Sequence, residues 1–354
     1  MTLRKFSSVV KFTSSFTILF FYFFIFFILM FSCHSGKQDK KKFLAKTITD
    51  TTAVGKQIFQ LSQSIMERPQ NAALYHERAL LYIGQKKFAT AFEDMKKALS
   101  IDSTKIPFLL TMADLYFVTN QTRETKNLLE KCLSLNNSHV EANLKLAELY
   151  LYVQDHEQSI TYLDNALKTD MHNARAYFMK GINFSEMNDT AKAISSFQTA
   201  IEQKPEYYEA FMQLGIIYSE KKNKMALQYF NSALGLKPSS IEAYYGRALC
   251  LQENNEVDKA IQDYNTILKI NPQYKLAHYN LGFVHLVYLK KYEEAIKHFS
   301  DAIHYDSNYV EAYYNRGVSY ELSKDKKKAK EDYEKAMKLK PNYEAASAGL
   351  KRMK

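Results

Sequence analysis

The chain has 354 residues, 46% hydrophobic and 24% charged, with 26 Tyr, 23 Phe, no Trp, 10 Gly and 6 Pro. That composition supplies a core and excludes a largely disordered or low-complexity protein, which lacks the apolar surface to offset the entropy of ordering. The formal net charge is +10. Lysines gather at Lys37, Lys40, Lys41 and Lys42 and again at Lys326, Lys327, Lys328, Lys338 and Lys340.

The first 32 residues carry Arg4, Lys5 and Lys11 ahead of an apolar run from Ile18 to Phe31, followed by "SCHSGKQDKKK". A basic leader, a short apolar stretch and a small residue before a cut site describe a secretory signal peptide. The run falls short of the roughly 18 residues a bilayer-spanning helix needs. "LMFSC" resembles a bacterial lipobox, which makes Cys33 the expected lipidated first residue of the mature protein. An uncleaved signal anchor is the alternative, and on either reading the remainder is extracytoplasmic. Without the three basic residues of the leader, which no acidic residue balances, the net charge of +10 becomes +7. In an exported chain that charge is read as solvated helix faces and a tail near anionic lipid, so nucleic acid is not an expected partner.

Residues 33–50 read as a polar, flexible tether, able to extend roughly 60 Å at about 3.3 Å per residue. Next, within 51–71, Val54, Ile58, Leu61 and Ile65 predict an amphipathic N-terminal capping helix ending at Pro69.

From residue 72 the chain repeats. A small-residue column runs Ala79, Ala113, Ala147, Gly181, Gly215, Ala248, Gly282, Gly317, at spacings of 33 to 35. Three residues later stands a mostly aromatic column, Tyr82 to Tyr320. A second small column follows (Ala91, Thr125, Ser159, Ala193, Ala226, Ala260, Ala295, Ala329). A large one comes next (Met95, Leu129, Leu163, Phe197, Phe230, Tyr264, Phe299, Tyr333), then a third small one, Ala98 to Ala336. Within each half-unit the apolar residues fall three or four apart, the helical period. Small residues let two helices approach and large ones fill the hollow opposite. Pro69, Pro205, Pro238, Pro272 and Pro341 close units, and Asn71, Ser138, Asn173, Ser240 and Asn308 stand where helix caps are expected. A single such pair cannot bury its apolar face alone, so the units must stack.

This pattern resembles the tetratricopeptide repeat. It covers eight units (72–105, 106–139, 140–173, 174–207, 208–240, 241–274, 275–309, 310–343), with 344–354 as a C-terminal capping helix. The resemblance implies an all-α, right-handed superhelical α-solenoid. Units two and three are the least typical, with Leu109 and Asn143 where an aromatic opens the helix elsewhere. The fifth unit loses one residue in its inner turn and the seventh gains one, which predicts local irregularity in an unbroken stack. Cys132 and Cys250 lie in different units and are expected to be free, small core residues.

Chemistry is harder to find. No HExxH, GxSxG or GxxxxGK stands in the sequence, so no enzyme and no cofactor is expected. His278, His285, His298 and His304 gather in the seventh unit, at spacings of seven, thirteen and six. None gives the close pair along one helix that zinc favours, and metal: none is the expectation. Arg316 is expected to pack its stem and expose its charge.

The resemblance supplies a binding face instead. In that family the first helices of successive units line a concave groove that takes peptides or partner segments. Carried onto this chain, the partner-binding residues are Lys145, Phe178, Met212, Tyr245, Tyr279, Asn280, Tyr314 and Asn315. The two asparagines could each hold a peptide backbone. A carboxylate clamp is not expected, because Arg175 stands alone in a column otherwise occupied by Glu141, Glu209, Glu242 and Glu311. The expected function is a non-enzymatic, membrane-tethered scaffold for protein or peptide partners, in envelope assembly, secretion or polysaccharide export. A glycan- or peptidoglycan-binding module is the alternative.

Overall fold

The computed structural model describes residues 52–353. The leader, Cys33 and the tether at 33–50 lie outside them. The described residues form 18 α-helices and no strand, in two compact units, one ending at Asp189 and the other beginning at Thr190.

The first unit holds α1 (Ala53–Glu67), α2 (Ala72–Gly84), α3 (Phe88–Ile101), α4 (Ile106–Val118), α5 (Thr122–Leu135), α6 (Val140–Tyr152), α7 (His156–Thr169) and α8 (Ala174–Glu186). The second holds α9 (Thr190–Gln203), α10 (Tyr208–Glu220), α11 (Met225–Leu236), α12 (Ile241–Glu253), α13 (Val257–Ile270), α14 (Lys275–Val287), α15 (Tyr292–Tyr305), α16 (Val310–Leu322), α17 (Lys326–Leu339) and α18 (Glu344–Arg352). Within each unit, consecutive helices pack as hairpins and each hairpin packs on the next.

The sequence columns are the core. Every residue of the large column is at most 1% exposed, and the small columns beside it are equally buried. Truncating one such side chain, Phe299 for instance, costs about 3–5 kcal/mol. Where a ring fills the hollow, the facing residue tends to be glycine. A Cβ on Gly282 would meet the Phe299 ring at 2.8 Å, and one on Gly317 the Tyr333 ring at 2.9 Å. Tyr264 and Tyr333 bring a hydroxyl into this core, and each donates it to a side chain twelve residues earlier, Gln252 and Glu321. Buried hydroxyls need such a partner. Cys132 and Cys250 are buried free thiols, and burial pushes the Cys132 thiol up to about 11, which leaves it unreactive.

Each first helix ends the same way. Eight non-glycine residues take positive φ, among them Lys86, Asn120, Lys290 and Lys324, one in each inner turn. In the first repeat Lys86 N–H then bonds Ile83 O and Lys87 N–H bonds Tyr82 O, satisfying the last carbonyls of α2. The extra residue of the seventh repeat is absorbed in this turn: Leu289 N–H reaches back to Val284 O, and Lys291 N–H to His285 O. The missing residue of the fifth shortens α11 to 12 residues, against 14 in α13, α15 and α17.

Three local expectations are corrected. The buried stripe of α1 is Gly55, Ile58, Ser62 and Ile65, with Ser62 turned inward to accept a bond from Arg78, while Val54 at the first turn is exposed. Asn71, Asn173 and Ser240 cap as expected, but Ser138 yields to His139, whose Nδ1 accepts from Ala142 N–H. The helix after Asn308 begins at Val310, with Tyr309 at the cap position and no side-chain cap bond.

Arg316 corrects a fourth. Its guanidinium grips Asp332 on α17 and also reaches Ser300 on α15, so its charge is paired inside the stack. Arg78 does the same with Asp94 and Ser62, and Arg247 with Asp263 and Asn231. In each case one arginine ties the second helix of its own repeat to the helix that packs before it, the second helix of the preceding repeat for Arg247 and Arg316 and the capping helix α1 for Arg78.

Candidate functional site

The face in question is formed by the first helices, which touch their counterparts in neighbouring repeats: α6 with α8 in the first unit, and in the second α10 with α12 and α14 with α16, while α16 also touches the capping helix α18. On it, a bond links consecutive repeats. Asn280 Nδ2 donates to the Tyr245 hydroxyl at 3.1 Å, and Asn315 Nδ2 to the Tyr279 hydroxyl at 2.8 Å. In the first unit His76 and Thr111 stand in the same relation, 2.9 Å apart.

Each tyrosine sits in a set of three rings. Tyr245 meets Tyr264 and Tyr274; Tyr279 meets Phe299 and Tyr309; Tyr314 meets Tyr333 and Tyr343. One ring comes from the second helix of the same repeat and one from the residue opening the next. Burial raises the hydroxyls of Tyr245 and Tyr279 above the ordinary phenol range, so they stay protonated and neutral.

The partner-facing surface is therefore narrower than the sequence implied. Tyr245, Asn280 and Asn315 are buried at 4%, 7% and 5% exposure, and both asparagine amides are engaged by tyrosines. They hold repeat to repeat. Met212, Tyr279 and Tyr314 in the second unit, and Phe178 in the first, remain half-buried with part of their surface open.

In the first unit the same face is a charge network. Lys145 pairs with Asp114 at 2.5 Å and Glu141 at 3.5 Å, and Arg175 with Glu141 at 3.1 Å and Glu148 at 2.7 Å. The two cations thus meet three carboxylates, and neither Lys145 nor Arg175 is free to hold the terminal carboxylate of a peptide.

Models described as "Tetratricopeptide repeat" match residues 72–105, 178–241, 241–274 and 310–343, and one described as "TPR repeat" matches 286–323. The chain belongs to the tetratricopeptide repeat (TPR) family. It is similar to tetratricopeptide repeat protein 6 of Homo sapiens, 32% identical over 124 residues, which is 35% of this chain and 23% of that protein. The match thus spans less than a quarter of the human relative. Among solved structures, the C-terminal part of a TPR repeat-containing protein from Cytophaga hutchinsonii superposes with a TM-score of 0.59 at 16% identity, covering 68% of this chain and 99% of that one. A TPR protein from Parabacteroides merdae gives 0.49 at 17% identity, over 70% and 98%. The Cytophaga likeness shows the fold, an all-α TPR solenoid, and the TPR repeats imply a protein–protein interaction scaffold.

One cluster on this TPR scaffold escaped the sequence reading. His278 on α14 lies beside His298 and Asp301 on α15, with one possible ligand atom from each within 4.8 Å of the others. Spacing along the chain shows pairs on a single helix, whereas these residues meet across the helical hairpin of the seventh repeat. His285 stacks on His298, ring centroids 5.3 Å apart and 17° from parallel. Burial, with the His285 and His278 rings adding to it, pushes His298 down to about 4. Its imidazole is therefore neutral at physiological pH. The signal was in the columns: only the seventh repeat places nitrogen or carboxylate donors at all three positions. Repeat one has Tyr75, Asp94 and Lys97 there, and repeat eight Tyr313, Asp332 and Lys335.

Proposed function

We propose that this TPR protein is a membrane-tethered, extracytoplasmic, non-enzymatic scaffold that holds partner protein segments against the first helices of its second unit. The observation that carries the binding reading is the partly open row of Met212, Tyr279 and Tyr314 above rings that the stack already fixes. Rigid aromatic residues anchor partners at low entropic cost, because little side-chain freedom remains to be lost. Recognition here is apolar; the bound asparagine amides leave little to grip a peptide backbone.

The tether rests on the leader and Cys33 of the sequence. A Cys33→Ala variant that stays in the membrane fraction with its signal still cleaved would rule out lipidation. A glycan-binding role is less well supported, since the Tyr279 and Tyr314 rings are each engaged by two others and offer little open face to a sugar.

Crosslinking in intact cells followed by mass spectrometry tests the scaffold directly. Tyr279→Ala and Tyr314→Ala together are expected to remove specific crosslinked partners while helical content, read by circular dichroism, is retained. An unchanged crosslink profile in a folded double variant would overturn the assignment to this face.

A further inference from the structure

His278 occupies the column that opens each first helix, and its neighbours in that column explain its chemistry. Tyr75 and Tyr177 donate their hydroxyls to the carbonyl six residues upstream, Pro69 O at 3.2 Å and Met171 O at 3.1 Å. His278 makes the same bond, Nε2 to Pro272 O at 2.9 Å. A carbonyl only accepts, so the proton sits on Nε2 and Nδ1 carries a lone pair, a ring-nitrogen donor to a metal that no tyrosine in this column has.

That Nδ1 is buried with no hydrogen-bond partner among the described residues. It points toward Asp301, whose Oδ2 lies 3.6 Å away. The Nδ1 atoms of His298 and His285 are likewise buried and unpartnered. Unsatisfied buried ring nitrogens are costly, and three in one repeat call for a ligand.

We propose that His278, His298 and Asp301 form a binding site for a divalent transition metal of the zinc class. Two imidazoles and one carboxylate suit Zn²⁺, whereas Mg²⁺ and Ca²⁺ prefer sets made of oxygen alone. The bond from His278 Nε2–H to a backbone carbonyl is the outer support that ligating histidines commonly have, fixing tautomer and ring plane. Tetrahedral bonds of about 2.0–2.1 Å place ligand atoms about 3.4 Å apart. The His278–Asp301 pair is already near that distance, and the whole set lies within 4.8 Å. Asp301 is 41% exposed, which gives the ion an entry path and leaves its fourth position to water. The site would clamp α14 to α15 directly behind Tyr279 and Phe299, the residues that follow the two histidines in sequence and pack on each other at 5.6 Å.

The test is titration of the full chain, purified without a polyhistidine tag, with Zn²⁺ alone by calorimetry and with Co²⁺ alone by its ligand-field absorption. One equivalent is expected to bind and to raise the melting temperature. His298→Gln and Asp301→Asn should each weaken binding at least about tenfold, while His304→Gln, an exposed histidine of the same helix, leaves it unchanged. Asp301→Asn changes a partly exposed residue, so it reports even if His298→Gln fails to fold. No binding of either ion, or binding that both variants leave intact, would overturn the site.

Discussion

Arg316 and Asp332 are joined by two parallel bonds, Nε to Oδ2 and Nη2 to Oδ1, each 2.8 Å long. The carboxylate is buried, and burial holds Asp332 above its usual range despite the guanidinium beside it. Such a pair contributes little net stability but is costly to break from one side, because the remaining charge is left without a partner.

The repeats themselves show an alternative. Arginine stands in this column where aspartate stands sixteen residues on, at 78/94, 247/263 and 316/332; in the second repeat the pair is apolar, Met112 with Leu128. Asp332→Ala is therefore expected to cost about 3–5 kcal/mol, and the double variant Arg316→Leu, Asp332→Leu only about 1 kcal/mol or less. Denaturant unfolding measures both. A double variant as unstable as the single one would show that the ion pair itself holds α16 and α17 together.

Gly282 faces the Phe299 ring where Ala113 and Ala147 face the smaller Leu129 and Leu163 in their own repeats. Gly282→Ala drives a methyl group into a fully buried ring and should destabilise by about 1–3 kcal/mol. Adding Phe299→Leu should recover part of that loss by making room. If Phe299→Leu is equally harmful with alanine or glycine at 282, the two positions are not coupled as described.

Lys324 adopts φ 69° at the end of α16, a conformation costing a side chain roughly 1–2 kcal/mol that glycine avoids. Part of the gain is returned as unfolded-state entropy. Lys324→Gly is thus expected to stabilise the chain by about 0.5–1 kcal/mol, visible as a higher melting temperature. A lower melting temperature would mean that the lysine side chain contributes more than its backbone strain costs.

Glu321 locks the C-terminal helix. It accepts two bonds from Arg352 on α18, at 2.7 and 2.8 Å, and one from the Tyr333 hydroxyl. The Arg352 bond, with that of Tyr333, holds its carboxyl below the ordinary range. The unfolded chain therefore takes up this proton first on acidification. The contribution is complete above the ordinary glutamate pKa and is lost as pH falls through the lower folded value. With Arg352 half exposed it amounts to about 0.5–1 kcal/mol. Protection factors of the α18 amides, which remove the intrinsic pH dependence of exchange, should fall below about pH 4 in the parent chain, and Glu321→Gln should show that lower protection already at neutral pH. A variant with the parent's exchange profile would remove Glu321 from this role.

Much of this was present in the sequence. A period near 34 with small residues facing large ones determines paired helices, and their stacking follows because no single pair can bury its apolar face. The columns named every layer of the core from Met95 to Tyr333. Periodicity also located the first-helix face, since it fixes which residues share a side of a helix.

Only the tertiary structure decided how much of that face is open and which polar groups are already taken. Tyr245, Asn280 and Asn315 occupy positions suited to recognition, yet cross-repeat bonds turn them into struts. Arg316 resembles a surface charge until Asp332 arrives from the following helix. His278 and His298 are twenty residues apart along the chain and meet because a hairpin closes between them. Spacing along one helix reports neighbours on that helix alone. Contacts between helices depend on how each pair docks, and it was the docking that separated scaffold from surface.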